Sequence, residues 1–276
     1  MIDIRQTPQY ADYLRKIGWT VEGSHKTNYF IRKIPVLGAF VKIQRPGKID
    51  LGKIEKLAKK YRAFQIIIEP HRATPAGKPN ILLKHGYRLS KSPFLPTKTI
   101  HLDLTQSKDK LLKQVKKDAR YSIRKTNELR IMNHELRDIE KFRSAWKKSV
   151  GLKRYVPSVK TLKALKNSFK KKSLFLLDEE ESSGAIFLIG DKIGYYWQAF
   201  TGKEGRKNLS QYKIVWEGIL WAKEKGAKIF DFEGIYDKRF PNKSWYGFSH
   251  FKKSFGGSEI EYPGTYTKFS IPFRRK

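Results

Sequence analysis

The stretch from residue 174 to residue 232 constrains the fold of this chain more than any other part of its 276 residues. It holds three apolar segments of strand length, 174–177, 184–189 and 193–200. The turn Gly190-Asp191-Lys192 joins the last two as a hairpin. A long helix is predicted from about Ser210 to Lys225, burying Tyr212, Val215, Trp216, Ile219 and Leu220, with Gly226 at its C′ position. The strand 228–232 closes the unit. Hairpin strands, then a helix, then a strand make a mixed α/β unit, and not a piece of one doubly wound sheet.

The rest of the chain alternates in a similar way. A short helix over 7–19 ends at Gly18, and strands follow at 28–31 and 39–44. A helix over 51–61 runs into the strand 64–69, written Phe-Gln-Ile-Ile-Ile-Glu. After a short helix at 80–86 and breaks at Pro93 and Pro96, the segment 97–104 alternates with period two and reads as a strand. One helix is expected over 107–127, with Leu111, Leu112, Val115, Ala119 and Ile123 inward. Two amphipathic helices are expected at 139–150 and 159–171. No low-complexity linker intervenes. The expected organisation is two small α/β domains, 1–127 and 128–262, with 263–276 a candidate completion of the first.

Charge points to the partner. There are 59 Lys and Arg against 26 Asp and Glu, a net charge of +33, while 39% hydrophobic content is enough for a core. Such a field attracts polyanions: nucleic acid, anionic lipid or nucleotide-linked substrates. On the outer side of helix 107–127, Lys113, Lys117, Arg120 and Arg124 fall at i, i+4, i+7 and i+11, a stripe about 16 Å long. A solvated face usually mixes signs, but Asp118 is the only acid between Lys110 and Asn127, so the stripe reads as a phosphate-tracking ridge in preference to a solvated helix face. The chain has no Cys, which removes disulfides, thiolate metal sites and a Cys nucleophile, and its six His lack metal-ligand spacing. No metal and no cofactor are expected. Residues 1–13 lack the apolar core of a signal peptide, and no apolar run approaches the roughly 18 residues of a membrane span. A cytoplasmic protein is expected, able to touch anionic membrane through charge.

Three passages resemble the Fem family of peptidoglycan-bridge aminoacyltransferases. The first is Leu102-Asp103-Leu104 with Leu111-Leu112 and Arg120-Tyr121-Ser122-Ile123-Arg124-Lys125. The second is Tyr195-Tyr196-Trp197-Gln198-Ala199-Phe200 with Asn208, Tyr212, Trp216-Glu217 and Ile219. The third, the most specific, is Phe230-Asp231-Phe232-Glu233-Gly234-Ile235 followed by Phe251-Lys252-Lys253-Ser254-Phe255-Gly256-Gly257. The resemblance implies two tandem domains of the acetyltransferase-like (GNAT) fold, with 263–276 a candidate part of the first. It also implies an aminoacyl-tRNA donor, and as acceptor the stem-peptide amine of a nucleotide-linked or lipid-linked muropeptide. Family members acting on the lipid-linked precursor often carry a long coiled-coil arm. Here no sustained heptads precede Leu174, so the chain resembles the compact type.

The expected chemistry is attack of an amine on the ester joining an amino acid to the tRNA ribose. It needs positioned anions and a stabilised oxyanion more than a nucleophilic triad. Lys252 matches the family's functional lysine and is the expected charge stabiliser, beside Phe251 as a substrate-binding residue. Asp103 ends an apolar strand, and is either the proton acceptor for the amine or a structural carboxylate before the next helix. Arg206 and Lys207, after Gly205, are expected to bind the diphosphate of a sugar peptide at the start of the following helix. Arg15 and Lys16 are a second phosphate candidate, and Tyr212 and Tyr246 are candidates for the substrate channel. Asp231 is expected to bond loop backbone. Two other functions fit: a tRNA-dependent or GNAT-type acyltransferase acting on a protein or another amine, and a non-catalytic RNA-binding protein. In the latter, the aromatic runs Tyr195–Trp197 and Trp245–Phe248 would be stacking platforms; Phe273-Arg274-Arg275-Lys276 is a candidate contact for membrane or RNA, or simply a frayed end.

Overall fold

In the computed structural model, residues 1–24, 27–71, 80–126, 128–151 and 154–270 are described, so Asn127 and Phe273 to Lys276 lie outside the described residues. The chain forms two compact units. One comprises Ile2–Lys98, Asp237–Asn242 and Glu261–Lys276, the other Met1, Thr99–Tyr236 and Lys243–Ile260.

In the first unit, helix α1 (Pro8–Lys16) starts at Thr7, whose hydroxyl oxygen accepts the Tyr10 N–H, with Pro at the first helical position. Strands β1 (Thr20–Ser24), β2 (Thr27–Ile34) and β3 (Gly38–Gln44) form an antiparallel meander. Helix α2 (Leu51–Lys60), capped by Asp50, crosses over to β4 (Ala63–Glu69), which runs parallel to β3. Helix α3 (Ile81–Lys84) and the two-residue strand β5 (Arg88–Leu89) follow. Ile31, Val41, Ile43, Ile66 and Ile68 bury one sheet face against Ile54 and Leu57 of α2. The polar β1, Thr-Val-Glu-Gly-Ser, was not expected from its sequence. Its strand state is set by pairing along β2, from Thr20 opposite Ile31 to Ser24 opposite Thr27.

The second unit begins with β6 (Lys98–Asp103), α4 (Lys108–Gln114) and α5 (Lys117–Lys125). Then come β7 (Ile131–Asn133), α6 (Ile139–Val150), α7 (Val159–Phe169), β8 (Ser173–Asp178), β9 (Ser183–Gly190) and β10 (Ile193–Thr201). A short α8 (Lys203–Lys207), the long α9 (Ser210–Glu224), β11 (Ile229–Asp231), α10 (Tyr246–Lys253) and β12 (Ser258–Glu261) complete it. The sheet order is β12-β6-β11-β10-β9-β8-β7, with β10 and β11 parallel. Phe187, Tyr196, Phe230, Phe232 and Phe255 pack in its core with Ile214 and Ile219 of α9. The last strand, β13 (Tyr266–Phe269), inserts between β4 and β5 of the first sheet. Each unit is thus a mixed sheet with helices packed on it, the α/β class expected.

Two expectations need correction. The helix 107–127 is two helices: Val115 is extended (φ −65°, ψ 133°) and buried, and the Lys116 N–H leaves the helical pattern to donate to the Ser254 carbonyl at 2.8 Å. The four-cation stripe is therefore broken, with Lys113 on α4 and Lys117, Arg120 and Arg124 on α5. The division between units also falls at 98–99 and not at 127, because Leu111, Val115, Ala119 and Ile123 share one core with Ile214 and Phe230. Among the described residues, no helix is long and apolar enough to cross a membrane, and no group of His, Cys, Asp or Glu could hold a metal ion.

Candidate active site

The second unit buries a lysine. Lys252 lies in the last turn of α10 and is only 8% exposed. Its ammonium donates to the Gly234 carbonyl at 2.7 Å and, more weakly, to the Glu233 carbonyl at 3.4 Å. It also lies 5.5 Å from the centre of the Tyr196 ring and 5.1 Å from that of Phe248. Burial pulls the Lys252 pKa down to about 8, against the charges of Glu233 and Asp231 and with a smaller push from Arg154. An ammonium has three N–H groups, and the two carbonyls engage two of them.

Those carbonyls are aimed by the turn after β11. Glu233 and Gly234 have φ of +52° and +107°, so the chain bends sharply where the strand stops. Asp231 secures that bend. It is 4% exposed and accepts the Glu233 N–H at 2.8 Å, the Thr99 hydroxyl at 2.6 Å and the His101 ring at 3.1 Å. Burial alone would push its carboxyl up, but the His101 bond and charge, with the Thr99 and Glu233 bonds, hold it below the usual carboxylate range. The Gly256-Gly257 turn after α10 passes very close to β6: a Cβ on Gly257, at φ +89°, would stand 2.5 Å from the His101 carbonyl oxygen.

Tyr196 comes from β10, where the register with β9 slips between Tyr196 and Gln198. Bulges of this kind re-aim side chains beside functional sites. Here the Tyr196 hydroxyl accepts from Gln211 Nε2 at 2.7 Å, and Gln211 Oε1 accepts from Thr201 at 3.0 Å. Burial pushes the Tyr196 phenol up, so it stays neutral. Arg154, exposed in the segment between α6 and α7, donates to the Ala199 carbonyl at 3.0 Å, and its charge is felt by both Tyr196 and Lys252. A buried cation with an uncommitted N–H, an exposed guanidinium and aromatic walls can hold an anion or steady charge developing on a carbonyl oxygen.

The residues singled out from the sequence are only partly gathered here. Lys252 and Phe251 are neighbours, but Phe251 packs at 4.8 Å against Tyr212, and both join Phe255 in an aromatic cluster. Tyr246, half-exposed, lies tilted against Tyr236 with ring centres 4.3 Å apart. Asp103 is exposed and accepts the Thr105 N–H and hydroxyl at 2.9 and 2.7 Å, bonds that lower its pKa. It pairs with Ile229, whereas Lys252 is held beyond the opposite end of the same strand, so the two do not meet. Arg206 and Lys207 sit on α8 and not on a loop. The Arg206 guanidinium donates to the Thr201 carbonyl at 2.7 Å, and Lys207 lies 3.9 Å from Glu204. Arg15 and Lys16 belong to the other unit, where Arg15 donates to the Val21 carbonyl and Lys16 pairs with Asp12. Sequence reasoning missed Arg154, His101 and Gln211. No motif marks Arg154, while Gln211 follows Ser210 at the start of an expected helix and His101 alternates inside an expected strand.

No family model matches the sequence, and no curated protein matches it either. The fold is known from solved structures. The crystal structure of FemX superposes with a TM-score of 0.80 at 16% identity, covering 98% of this chain and 92% of that one. The C-terminal domain of a putative lysylphosphatidylglycerol synthetase from Agrobacterium fabrum matches with a TM-score of 0.62 at 13% identity, covering 96% and 88%. A tandem GNAT protein from the clavulanic acid biosynthesis pathway gives 0.51 at 11% identity, covering 88% and 82%. The chain thus shares its fold with FemX and with the tandem GNAT protein, two GNAT-like units in one chain.

Proposed function

We propose that the protein is an aminoacyltransferase that moves an amino acid from aminoacyl-tRNA to the stem-peptide amine of a peptidoglycan precursor. The observation that carries this reading is Lys252: a lysine at the position matching the Fem motif is buried, held by two carbonyls, and keeps one N–H for a ligand. The acceptor amine attacks the ester carbonyl carbon to form a C–N bond, the carbonyl oxygen gains negative charge, and as the C–O ester bond breaks the ribose oxygen leaves as a hydroxyl with the proton that the nitrogen gives up. Lys252 steadies that charge, and Arg154 draws an anionic part of a substrate toward it. Asp103 takes no part as a base in this reading. Lys117, Arg120 and Arg124 remain a tRNA-facing group on α5, with Lys113 separate from them. The helices between β7 and β8 are the short α6 and α7, which supports the compact type and a nucleotide-linked acceptor.

The test incubates the protein with radiolabelled aminoacyl-tRNAs and a nucleotide-linked muramyl pentapeptide. Label on the pentapeptide, lost in Lys252→Ala, is expected. Label reaching only a lipid-linked precursor, or a protein N-terminus, would move the acceptor. Tight RNA binding with no transfer to any amine would overturn the enzyme reading.

A further inference from the structure

The first unit carries an exposed apolar point that takes no part in this chemistry. The β2–β3 hairpin ends in Pro35-Val36-Leu37, where Val36 is 90% exposed and Leu37 55%. The Leu37 N–H donates to the Pro35 carbonyl at 2.8 Å across Val36, whose φ is +66°. A β-branched residue in the left-handed region is an outlier, and a three-residue turn of this hand is strained. Gly or Asn would relieve it. An apolar side chain held in strain in open water points to use of the side chain itself. The turn is braced from behind: Gly38, at φ +107°, packs so tightly on the chain that a Cβ there would stand 2.1 Å from the Arg62 carbonyl oxygen.

Cations collar the point. Lys33 and Arg62 line, with Pro35, Val36, Leu37 and Tyr61, a groove of about 450 Å³. The ammonium groups of Lys33 and Lys60 lie 5.6 and 5.0 Å from the Tyr61 ring, and Lys59 is exposed at the end of α2. The acid bonded into this group is Glu22, which accepts from Lys60 at 2.7 Å and from the Tyr61 hydroxyl at 2.5 Å. RNA would engage the collar and leave Val36 and Leu37 in water. A bilayer with anionic headgroups matches both parts, since apolar tips enter the acyl boundary while cations stay among the phosphates.

We propose that the Pro35-Val36-Leu37 tip, with Lys33, Lys59, Lys60 and Arg62, docks the protein on an anionic phospholipid bilayer by inserting Val36 and Leu37. The proposal is independent of the role given to Lys252. The experiment measures co-sedimentation of the full chain with vesicles of phosphatidylcholine alone and of equal parts phosphatidylcholine and phosphatidylglycerol. Binding is expected only to the anionic vesicles, weakened about tenfold or more in Val36→Gly/Leu37→Ser and similarly in Lys33→Gln/Lys59→Gln. The first pair relieves the strained turn, so it leaves the fold intact. In a parallel filter-binding assay its tRNA affinity is expected to stay unchanged. Unaltered vesicle binding by Val36→Gly/Leu37→Ser would overturn the proposal, as would a loss of tRNA affinity with vesicle binding intact.

Discussion

The Lys252 ammonium lies 2.7 Å from the carbonyl oxygen of Gly234, in the turn that follows the strand carrying Asp231. A backbone carbonyl offers partial charge but no proton to exchange, so the lysine is fixed in place without being neutralised. That suits a group whose task is to meet a charge that exists only during reaction.

The rate should therefore depend on Lys252 in its charged form. Lys252→Met is expected to lower kcat about a hundred- to a thousandfold, the scale of losing one oxyanion donor. For the proposed transfer by the native protein, the alkaline limb of kcat/KM should fall as pH rises through about 8, and Lys252→Arg should move that limb upward. Stability has the opposite sign. The folded state releases the proton near 8 while the unfolded chain holds it to the ordinary lysine value of 10.5, so stability rises with pH across that window. At neutral pH Lys252→Met should melt no lower than the native protein, and a large drop in Tm would contradict this account.

Asp231 is a prediction about stability first. Asp231→Ala strands the Thr99 hydroxyl and the Glu233 N–H, and should cost about 3 kcal/mol in urea unfolding. Its carboxyl is depressed when folded, so its contribution is present above the ordinary carboxylate pKa and is lost as pH falls through the lower folded value. Asp231→Ala should flatten that acid limb of the stability curve. An unchanged limb would remove the carboxylate from the account.

Gly257→Ala should be destabilising by about 1–3 kcal/mol, from the positive φ and the approach to the His101 carbonyl together. Moving the β6 backbone disturbs His101 and so Asp231, and KM should change along with Tm. A variant as stable and active as the native protein would show that the turn has room.

The basic helices separate by salt dependence. Replacing Lys117, Arg120 and Arg124 by Ala should weaken tRNA binding and lower the slope of log affinity against log salt by about 2 to 3, if each neutralises one phosphate. Because the helix breaks at Val115, adding Lys113→Ala should have a small, additive effect. An unchanged slope in the triple variant would place the RNA elsewhere.

Much of the fold was legible because period and punctuation agree. The β9–β10 hairpin turns at Asp191, α9 follows apolar spacing, and the boundaries of α6 match the expected 139–150. What could not be read depends on partners distant in sequence. Val115 sits in good helical spacing, and only the Ser254 carbonyl explains why the helix stops there. The strand β1 is too polar to announce itself without β2, and α8 and α10 are short helices with no side-chain cap. For the site, Lys252 was legible through a motif, but its burial was not. Arg154 is one more cation in a basic chain until its nearness to Tyr196 and Lys252 distinguishes it.

The insertion of β13 between β4 and β5 has a consequence during synthesis. A chain leaving the ribosome presents β1 to β4 long before Tyr266–Phe269 exists, so β4 must wait with an open edge while every strand of the second sheet is translated. The second sheet can close before the first. Nascent chains stalled short of residue 266 should therefore present the open β4 edge at Ile66 and Ile68 to chaperones and proteases, and that edge closes only once β13 has been made.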